Sequence, residues 1–238
     1  MKFHKFKKAK TLSLANLLSL SNPALANELK TCEFKYISCF EDELLGNENL
    51  IRCEIGSVSY VLALLCKHVS NAHKEYFDEL DDGLLSGECN VGEEEIKELV
   101  LWLKDAKNVI IDSSFFTNPD AKMIFELLEI LNLDVILADT QATEYETNGN
   151  LSELKELLNF DGSVIYLYKN DSSDEIVGTT TFSMASKIKD GDTITVSSDD
   201  FSLTRKFRLD KNLKGTVALV GVSEVVGYNF KLVKVSKI

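Results

Sequence analysis

An alternation of amphipathic helices and short apolar strands between residues 93 and 167 is the feature that most constrains the fold of this chain. Asn90, three residues before Glu93, resembles the start of a capping box for the first helix. Apolar stripes at residues 124–131 and 151–158 predict a second and a third helix. The first helix carries its apolar residues at i, i+3, i+4 and i+7, namely Ile96, Leu99, Val100 and Leu103.

Short apolar runs follow each helix and predict three strands, at residues 109–111, 135–137 and 164–167. The strand starts lie 26 to 29 residues apart, which is long enough for a helical crossover between parallel strands. The runs do not alternate with polar residues, so both faces of the sheet should be covered. Asn118 and Pro119 predict the N-cap and first turn of the second helix. The predicted fold class is α/β, with a small parallel sheet in three layers.

The segments before this region predict a buried helix and an acidic connection. Residues 57–69 place apolar side chains at helical spacing and are hydrophobic enough for a buried helix. Residues 71–105 hold eleven acids and three lysines, a local charge of −8 that is typical of a solvated face.

The pattern changes near residue 175, after which strands and turns replace helices. A C-terminal β-barrel-like domain is therefore predicted. The predicted boundaries are an N-terminal extension at 1–50, the α/β domain at 51–175 and the β-barrel-like domain at 176–238. The strands of the β-barrel-like domain are expected at residues 194–196, 203–209, 216–222 and 228–235, with turns at 190–192 and 210–212.

Residues 1–26 allow two interpretations. Five lysines between residues 2 and 10, a leucine-rich stretch at 11–20 and the sequence Ala24-Leu25-Ala26 imitate a secretory signal, which would make this an exported protein. Ser13, Asn16 and other polar residues interrupt the apolar stretch, so the amphipathic start of a cytoplasmic protein, or a frayed tail, fits as well.

Charge and hydropathy exclude two classes of function. The formal net charge of −12 argues against a nucleic-acid partner, because affinity for phosphate backbones comes mainly from Lys and Arg. No run of about 18 apolar residues occurs, so an integral membrane protein is not expected.

The residues that carry catalytic or metal chemistry form no recognisable motif. The chain has neither of the glycine-rich phosphate loops, and its five cysteines are not spaced as metal or cluster ligands. His4, His68 and His73 have no nucleophile in a recognisable arrangement. We therefore predict no catalytic, cofactor-binding or metal residue and leave any cofactor unknown. Cys66 is expected to be a small buried hydrophobe, and Cys32 and Cys39 could complete a partner's site.

The turn at residues 112–118 is the one ligand location that the pattern suggests. It lies at a helix N-terminus on the carboxyl edge of the predicted sheet, where anions and ligands often bind. Helix capping by Asn118 and core packing by Phe115 and Phe116 explain the same residues structurally.

The C-terminal region is basic, with eight Lys or Arg and two acids from residue 201 onward. Such a cluster can steer an acidic protein partner, although a solvated strand face explains it equally well. The candidate docking residues are Arg205, Lys206, Arg208, Lys211 and Lys214.

Two stretches resemble the large peripheral-arm subunit of bacterial NADH-quinone oxidoreductase, respiratory complex I, a member of the molybdopterin-oxidoreductase superfamily. The first is LLSGECNVGEEE at residues 84–95, with the helix and strand that follow. The second is FSMASKIKDGDTITV at residues 182–196, continued by LKGTVAL at 213–219, which is similar to the C-terminal β-barrel of that superfamily. The two stretches occur in the chain in the family's order.

The resemblance implies a trimmed derivative of that subunit. The chain lacks the family's N-terminal ferredoxin-like cysteine clusters, its molybdopterin-binding halves are too short to enclose a cofactor, and no ligand residue can be carried over. Some bacterial complexes I have short accessory proteins in place of the NADH-binding subunits and take electrons from another carrier. The implied role is an accessory subunit, not catalytic alone, that assists assembly or docks an acidic donor such as a flavodoxin.

The resemblance also implies partners and a location. The partners would be other peripheral-arm subunits of complex I. The protein would be cytoplasmic and would reach the inner membrane only through the complex. A stand-alone small-molecule-binding or assembly module, derived from a molybdopterin oxidoreductase, is the alternative.

Overall fold

The computed structural model describes residues 1–70 and 73–238, which form two compact units. The first unit is Met1–Leu157 and the second is Leu158–Ile238. The first contains a six-stranded parallel sheet and the second a closed six-stranded β-barrel, so the predicted fold class is confirmed.

The sheet of the first unit is doubly wound. Its order is β1-β6-β5-β2-β3-β4, and every neighbouring pair is parallel. The chain builds outward from β2 to β4 in one direction and then from β5 to β6 in the other, so the strand order reverses between β2 and β5. The strands are β1(Phe3–His4), β2(Thr11–Ser13), β3(Phe34–Ser38), β4(Leu50–Arg52), β5(Asn108–Ile111) and β6(Asp134–Leu137).

Two hydrophobic clusters surround this sheet and give it three layers. One contains buried residues of α3, α6 and α8, and the other contains buried residues of α1 and α2. Val109 and Ile110, adjacent on β5, belong to different clusters, because successive side chains of a strand point to opposite faces. The helices are α1(Leu18–Ser21), α2(Pro23–Leu29), α3(Val58–Val69), α4(Lys74–Asp78), α5(Asp82–Cys89), α6(Glu93–Leu103), α7(Ser114–Thr117) and α8(Ala121–Leu131).

The predicted helices α3, α6 and α8 and the strands β5 and β6 are present, but the starts of two helices differ. The N-cap of α6 is Gly92, whose N–H donates to Glu95 Oε2 at 2.9 Å. Asn90 instead ends α5 in a left-handed conformation. The N-cap of α8 is Asp120, and the Asn118 side chain accepts a hydrogen bond from the Asp120 N–H at 2.8 Å. Part of the predicted acidic connection forms α4 and α5, and residues 71 and 72 of it lie outside the described residues.

Residues 1–50 are part of the α/β unit and not an extension of it. They supply three of the six strands, and β2 lies in the middle of the sheet between β3 and β5. Leu12 of β2 is fully buried. This short central strand is hard to predict from sequence. Thr11 and Ser13 are polar residues, which do not suggest a buried strand, yet both are buried. The segment weighed above as a cleavable signal therefore contains the central strand.

The sequence predicted a third helix at residues 151–158, followed by a third strand of the sheet. This prediction is wrong. No helix forms at residues 151–158, yet Leu151, Leu154 and Leu157 still pack against the core of the first unit. The Lys155 ammonium donates to the Pro119 carbonyl, so this segment makes polar contacts to the start of α8. The strand predicted at 164–167 belongs to the barrel, and the two units divide after Leu157 instead of near residue 175.

The second unit is a barrel closed in the order β10-β8-β11-β7-β12-β9, with β9 paired to β10. The four C-terminal strands predicted from sequence are present. The short strand β8 and the seven-residue helix α9 were not predicted, because neither is long enough to show a period. The elements are β7(Ser163–Lys169), β8(Glu175–Gly178), α9(Thr180–Ser186), β9(Thr193–Ser197), β10(Ser202–Leu209), β11(Val217–Val222) and β12(Phe230–Lys237).

Phenylalanine rings fill the interior of the barrel at a point where the backbone leaves little room. Phe182 and Phe207 stack with their ring centroids 6.1 Å apart. A Cβ atom at Gly178 would lie 2.7 Å from the ring of Phe207. Glycine is therefore the residue that lets β8 approach these rings. Among the residues that the structure describes, no helix has both the length and the apolar character that crossing a membrane would need.

Replacing Leu12 with alanine should destabilise the first unit strongly, because the side chain is fully buried on the central strand. We expect a loss of about 2–5 kcal/mol in the free energy of unfolding. Urea titration followed by the fluorescence of Trp102, the single tryptophan, reports on this unit. The control is Leu101→Ala on α6, where the side chain is 62% exposed, and its effect should stay within about 0.5 kcal/mol. Equal effects of the two variants would contradict the central position of residues 11–13.

Candidate functional site

The candidate site lies where the strand order reverses, at the carboxyl ends of β2 and β5. In doubly wound sheets, ligands bind in the crevice outside these strand ends. Asn16 follows β2 by three residues, and Asp112 follows β5 directly. The main-chain N–H of Leu14 also donates to the Ile110 carbonyl at 2.8 Å, which continues the pairing beyond β2. The crevice is therefore bounded by Asn16 on one side and Asp112 on the other.

The Asp112 carboxylate joins the two strand ends through hydrogen bonds to both oxygens. The Asn16 main-chain N–H donates to Asp112 Oδ2 at 2.7 Å. The Ser114 N–H donates to Asp112 Oδ1 at 2.9 Å, and the Ser114 hydroxyl donates to the same oxygen. The Asn16 amide donates to Ser114 Oγ at 3.0 Å, which completes a ring of three side chains. Asp112 and Ser114 are both buried.

Burial raises the pKa of the Asp112 carboxyl above its ordinary value of 3.8. Hydrogen bonds from Ser114 and Asn16 oppose this effect, and the negative charge of Asp139 adds to it. The carboxylate is thus held at the strand ends by donors that compensate only part of its lost hydration.

Further hydrogen bonds lie around the ring formed by Asn16, Asp112 and Ser114. The exposed carboxylate of Asp139 accepts from the Ser113 N–H and hydroxyl, each at 2.7 Å. The Ser38 hydroxyl, at the end of β3, donates to the Asn16 carbonyl at 3.0 Å. Asp42, which is also buried, accepts from the Ser19 N–H at 2.8 Å at the start of α1. Each of these donors already has an acceptor within the chain.

This arrangement suits a structural role better than catalysis or anion binding. The N–H groups of Asn16, Ser113 and Ser114, which would face a phosphate or carboxylate ligand, are taken by Asp112 and Asp139. The two carboxylates would also repel such a ligand. His68 lies near the end of α3, and His4 pairs with Asp134 at 3.8 Å, so neither joins the Asp112 ring.

The turn at residues 112–118 has the core packing predicted from sequence at its phenylalanines and a polar edge at its start. Phe115 is buried and belongs to the hydrophobic core, and Phe116 packs against that core. The Asn118 side chain accepts a hydrogen bond from the N–H of Asp120, which is the N-cap of α8. Asp112, Ser113 and Ser114 make the polar edge. Sequence reasoning missed Asn16 and Asp139, and the signal for Asn16 was hidden because β2 was not predicted.

The five candidate docking residues do not share one surface. Successive side chains of β10 point to opposite faces, so Arg205 lies on the face opposite Lys206 and Arg208. The Arg205 guanidinium donates to the Gly221 carbonyl at 2.6 Å. Arg208 pairs with Glu175 at 2.9 Å and with Asp210 at 3.4 Å. Lys211 and Lys214 are exposed in the loop that joins β10 to β11.

The cysteines are all free thiols, and in residues 1–70 and 73–238 no cluster of three His, Cys, Asp or Glu side chains is arranged to hold a metal ion. Cys66 is fully buried on α3 and its thiol donates to the Leu127 carbonyl at 3.2 Å, as expected for a small core residue. Cys32 and Cys39 are half-buried.

No protein-family model matches this chain, and no curated protein matches it either. The resemblance described from the sequence thus rests on the quoted stretches.

Replacing Asp112 with asparagine should destabilise the first unit by about 1–3 kcal/mol, because the amide NH₂ cannot accept the hydrogen bonds that one carboxylate oxygen receives. Urea titration at pH 7 with Trp102 fluorescence measures the change. Asp139→Asn is the matched control, since Asp139 is exposed and also accepts from a serine N–H and hydroxyl. A loss for Asp139→Asn as large as that for Asp112→Asn would contradict the tie between β2 and β5.

The effect of Asp112→Asn should also depend on pH. Because the folded-state pKa of Asp112 is raised, the native protein binds more protons than the unfolded chain at pH values between 3.8 and the raised value. The contribution of Asp112 to stability therefore falls as the pH rises through this window. The stability gap between wild type and Asp112→Asn should be larger at pH 4 than at pH 7. A gap that widens toward neutral pH would show that the pKa is lowered instead.

Proposed function

We propose that this protein is an accessory subunit of the peripheral arm of a complex I-like quinone oxidoreductase, where it assists assembly or docks an electron donor. The supporting observation is the crevice at the strand reversal. Asn16, Asp112 and Ser114 fill it with hydrogen bonds to one another, at the place where a sheet of this topology would bind a ligand. A ligand-binding fold with its crevice closed by its own side chains fits a subunit that is not catalytic alone.

The order of the two units also supports this proposal. An α/β unit precedes a closed barrel, which is the order that the resemblance to the large peripheral-arm subunit implies. The quoted stretches fall where that order requires, with residues 84–95 on α5 and the start of α6. Residues 182–196 run from α9 into β9.

Docking of an acidic donor is favoured by the uneven charge of the two units. Residues 1–157 contain 15 Lys or Arg and 28 Asp or Glu, whereas residues 158–238 contain 11 and 10. Lys206, Lys211 and Lys214 are exposed, and in the described part of the chain no ion pair involves them. We call these three the barrel lysines. An acidic electron carrier, such as one of the flavodoxin class, would be attracted to them and repelled by the first unit.

A stand-alone binding or assembly module is the second candidate. It is favoured by Ser113 and Asp139, which form a polar pair at the rim of the same crevice and remain accessible to solvent. Such a module would be purified without partners.

Purification of a C-terminally tagged copy from native membranes, with mass spectrometry of the proteins recovered, tests the assembly. Ile238 is 76% exposed, so a tag can be accommodated there. Recovery of the peripheral-arm subunits of a quinone oxidoreductase in stoichiometric amounts is the expected result. Recovery of the protein alone would overturn the proposal in favour of the stand-alone module.

Reversing the charge of the barrel lysines should slow donor-driven quinone reduction. We expect Lys206→Glu, Lys211→Glu and Lys214→Glu together to lower the rate about tenfold at low ionic strength, with the difference disappearing as salt screens the charges. The control changes Lys169, Lys189 and Lys234, which are exposed in the same unit, to Glu and keeps the same net charge. Rates that are equal for the two variants, or independent of salt, would exclude docking at the barrel lysines.

A further inference from the structure

Cys39 and Cys53 lie opposite each other just beyond the ends of two paired strands. In the parallel pair β3 and β4, Ser38 is opposite Arg52. Cys39 directly follows β3, and Cys53 directly follows β4. The Cys53 N–H donates to the Ser38 carbonyl at 3.2 Å, so the pairing reaches Cys53. The two cysteines therefore follow an aligned pair of residues, Ser38 and Arg52, at the ends of neighbouring strands.

The usual spacing of paired strands falls within the range of Cα separations found in disulfides. Neighbouring strands lie about 4.8 Å apart. The Cα atoms of a disulfide are usually roughly 4.4–6.8 Å apart. The Arg52 guanidinium donates to the Cys39 carbonyl at 3.1 Å and holds the start of the turn after β3 against β4. Residue 39 is at a bend directly after β3.

We propose that Cys39 and Cys53 form a reversible disulfide when the protein meets a peroxide. Cys39 reacts first, because this residue is partly exposed whereas Cys53 is buried. Its sulfur attacks the peroxide, an S–O bond forms, the O–O bond breaks and one molecule of water leaves when the oxidant is H₂O₂. The Cys53 sulfur then displaces the second oxygen as water and the S–S bond forms. The two thiols lose two electrons and two protons, and the peroxide gains both.

A third thiol, Cys89, is the competing partner for Cys53. The Glu54 N–H donates to the Cys89 carbonyl at 3.0 Å, which brings the end of α5 beside residue 53. Cys89 is fully buried, however, and it lacks the strand register that aligns Cys39 with Cys53. Burial raises the pKa of Cys53 to about 12 and also raises the pKa of Cys39 and Cys89, so the thiolate forms are scarce and the oxidation is slow.

The disulfide would constrain the crevice described above, whether or not the proposed function is correct. Ser38, which precedes Cys39, donates to the Asn16 carbonyl and accepts from the Phe40 N–H. A bond between Cys39 and Cys53 would attach the turn after β3, where these contacts are made, to the end of β4. The redox state of the pair would then set the rigidity of the carboxyl edge around Asn16.

Peptide mapping of the full-length protein tests the pairing. The reduced protein is incubated with H₂O₂ for increasing times, alkylated and digested with trypsin without reductant. Cys39 falls in peptide 36–52, Cys53 and Cys66 in 53–67, Cys89 in 75–97 and Cys32 in 31–35. We expect a linked species of 36–52 with 53–67, assigned to Cys53 by fragmentation and lost after reduction. The thermal midpoint from Trp102 fluorescence should rise by about 5 °C in the oxidised protein.

The control variants separate this pair from the other thiols. Cys39→Ser and, separately, Cys53→Ala should abolish both the linked species and the rise in thermal midpoint, whereas Cys32→Ser, a change at another half-buried cysteine, should keep both. Cys39→Ser keeps the proposal testable if Cys53→Ala fails to fold. A dominant link from 53–67 to 75–97, or alkylation of Cys39 without any linked species, would overturn the proposal.

Discussion

The α/β unit depends on the hydrogen bonds that the buried carboxylate of Asp112 receives from both sides of the strand reversal. β2 is only three residues long, yet it is the strand on which the two halves of the sheet meet. The Asn16 N–H reaches Asp112 from the end of β2, and Ser114 reaches it from the turn after β5. This tie fixes the path of the chain where the first helices begin, and apolar packing on both faces then covers the sheet. The same carboxylate occupies the position that a ligand would need.

The functional proposal draws on the two roles of Asp112. This residue ties β2 to β5, and it occupies the place where a ligand would bind. An open crevice at a strand reversal offers N–H donors to an anionic ligand, whereas here Asp112 and Asp139 accept from those donors. In the functional proposal, a partner would therefore meet the surface charge of the protein. The acidic first unit and the nearly neutral second unit would orient a charged protein differently. The thiols at the ends of β3 and β4 add a chemical group to the same edge of the sheet, one that does not depend on a bound cofactor.

The basic cluster inferred from sequence shows why composition alone overstates a docking surface. Arg205 and Arg208 are near in sequence, but the pleat of β10 places them on opposite faces. Arg205 donates to the Gly221 carbonyl, and Arg208 is balanced by Glu175 and Asp210. Among the five candidate docking residues, the barrel lysines are the ones that are exposed and form no ion pair within the described part of the chain, and two of them lie in a loop.

The sequence by itself determined the elements whose side chains repeat with a regular period. The stripes of α3, α6 and α8 and the apolar runs of β5 and β6 are local patterns, and they were sufficient to predict a parallel α/β sheet followed by a β-rich domain. Tertiary structure alone decided the role of residues 11–13, because Thr11 and Ser13 become a central strand only when β3 and β5 pair with them. It also decided that residues 151–157 are not helical, since their leucines reach the core from an irregular segment. The crevice was hidden from sequence for the same reason: Asn16 and Asp112 are 96 residues apart and meet only through the strand order.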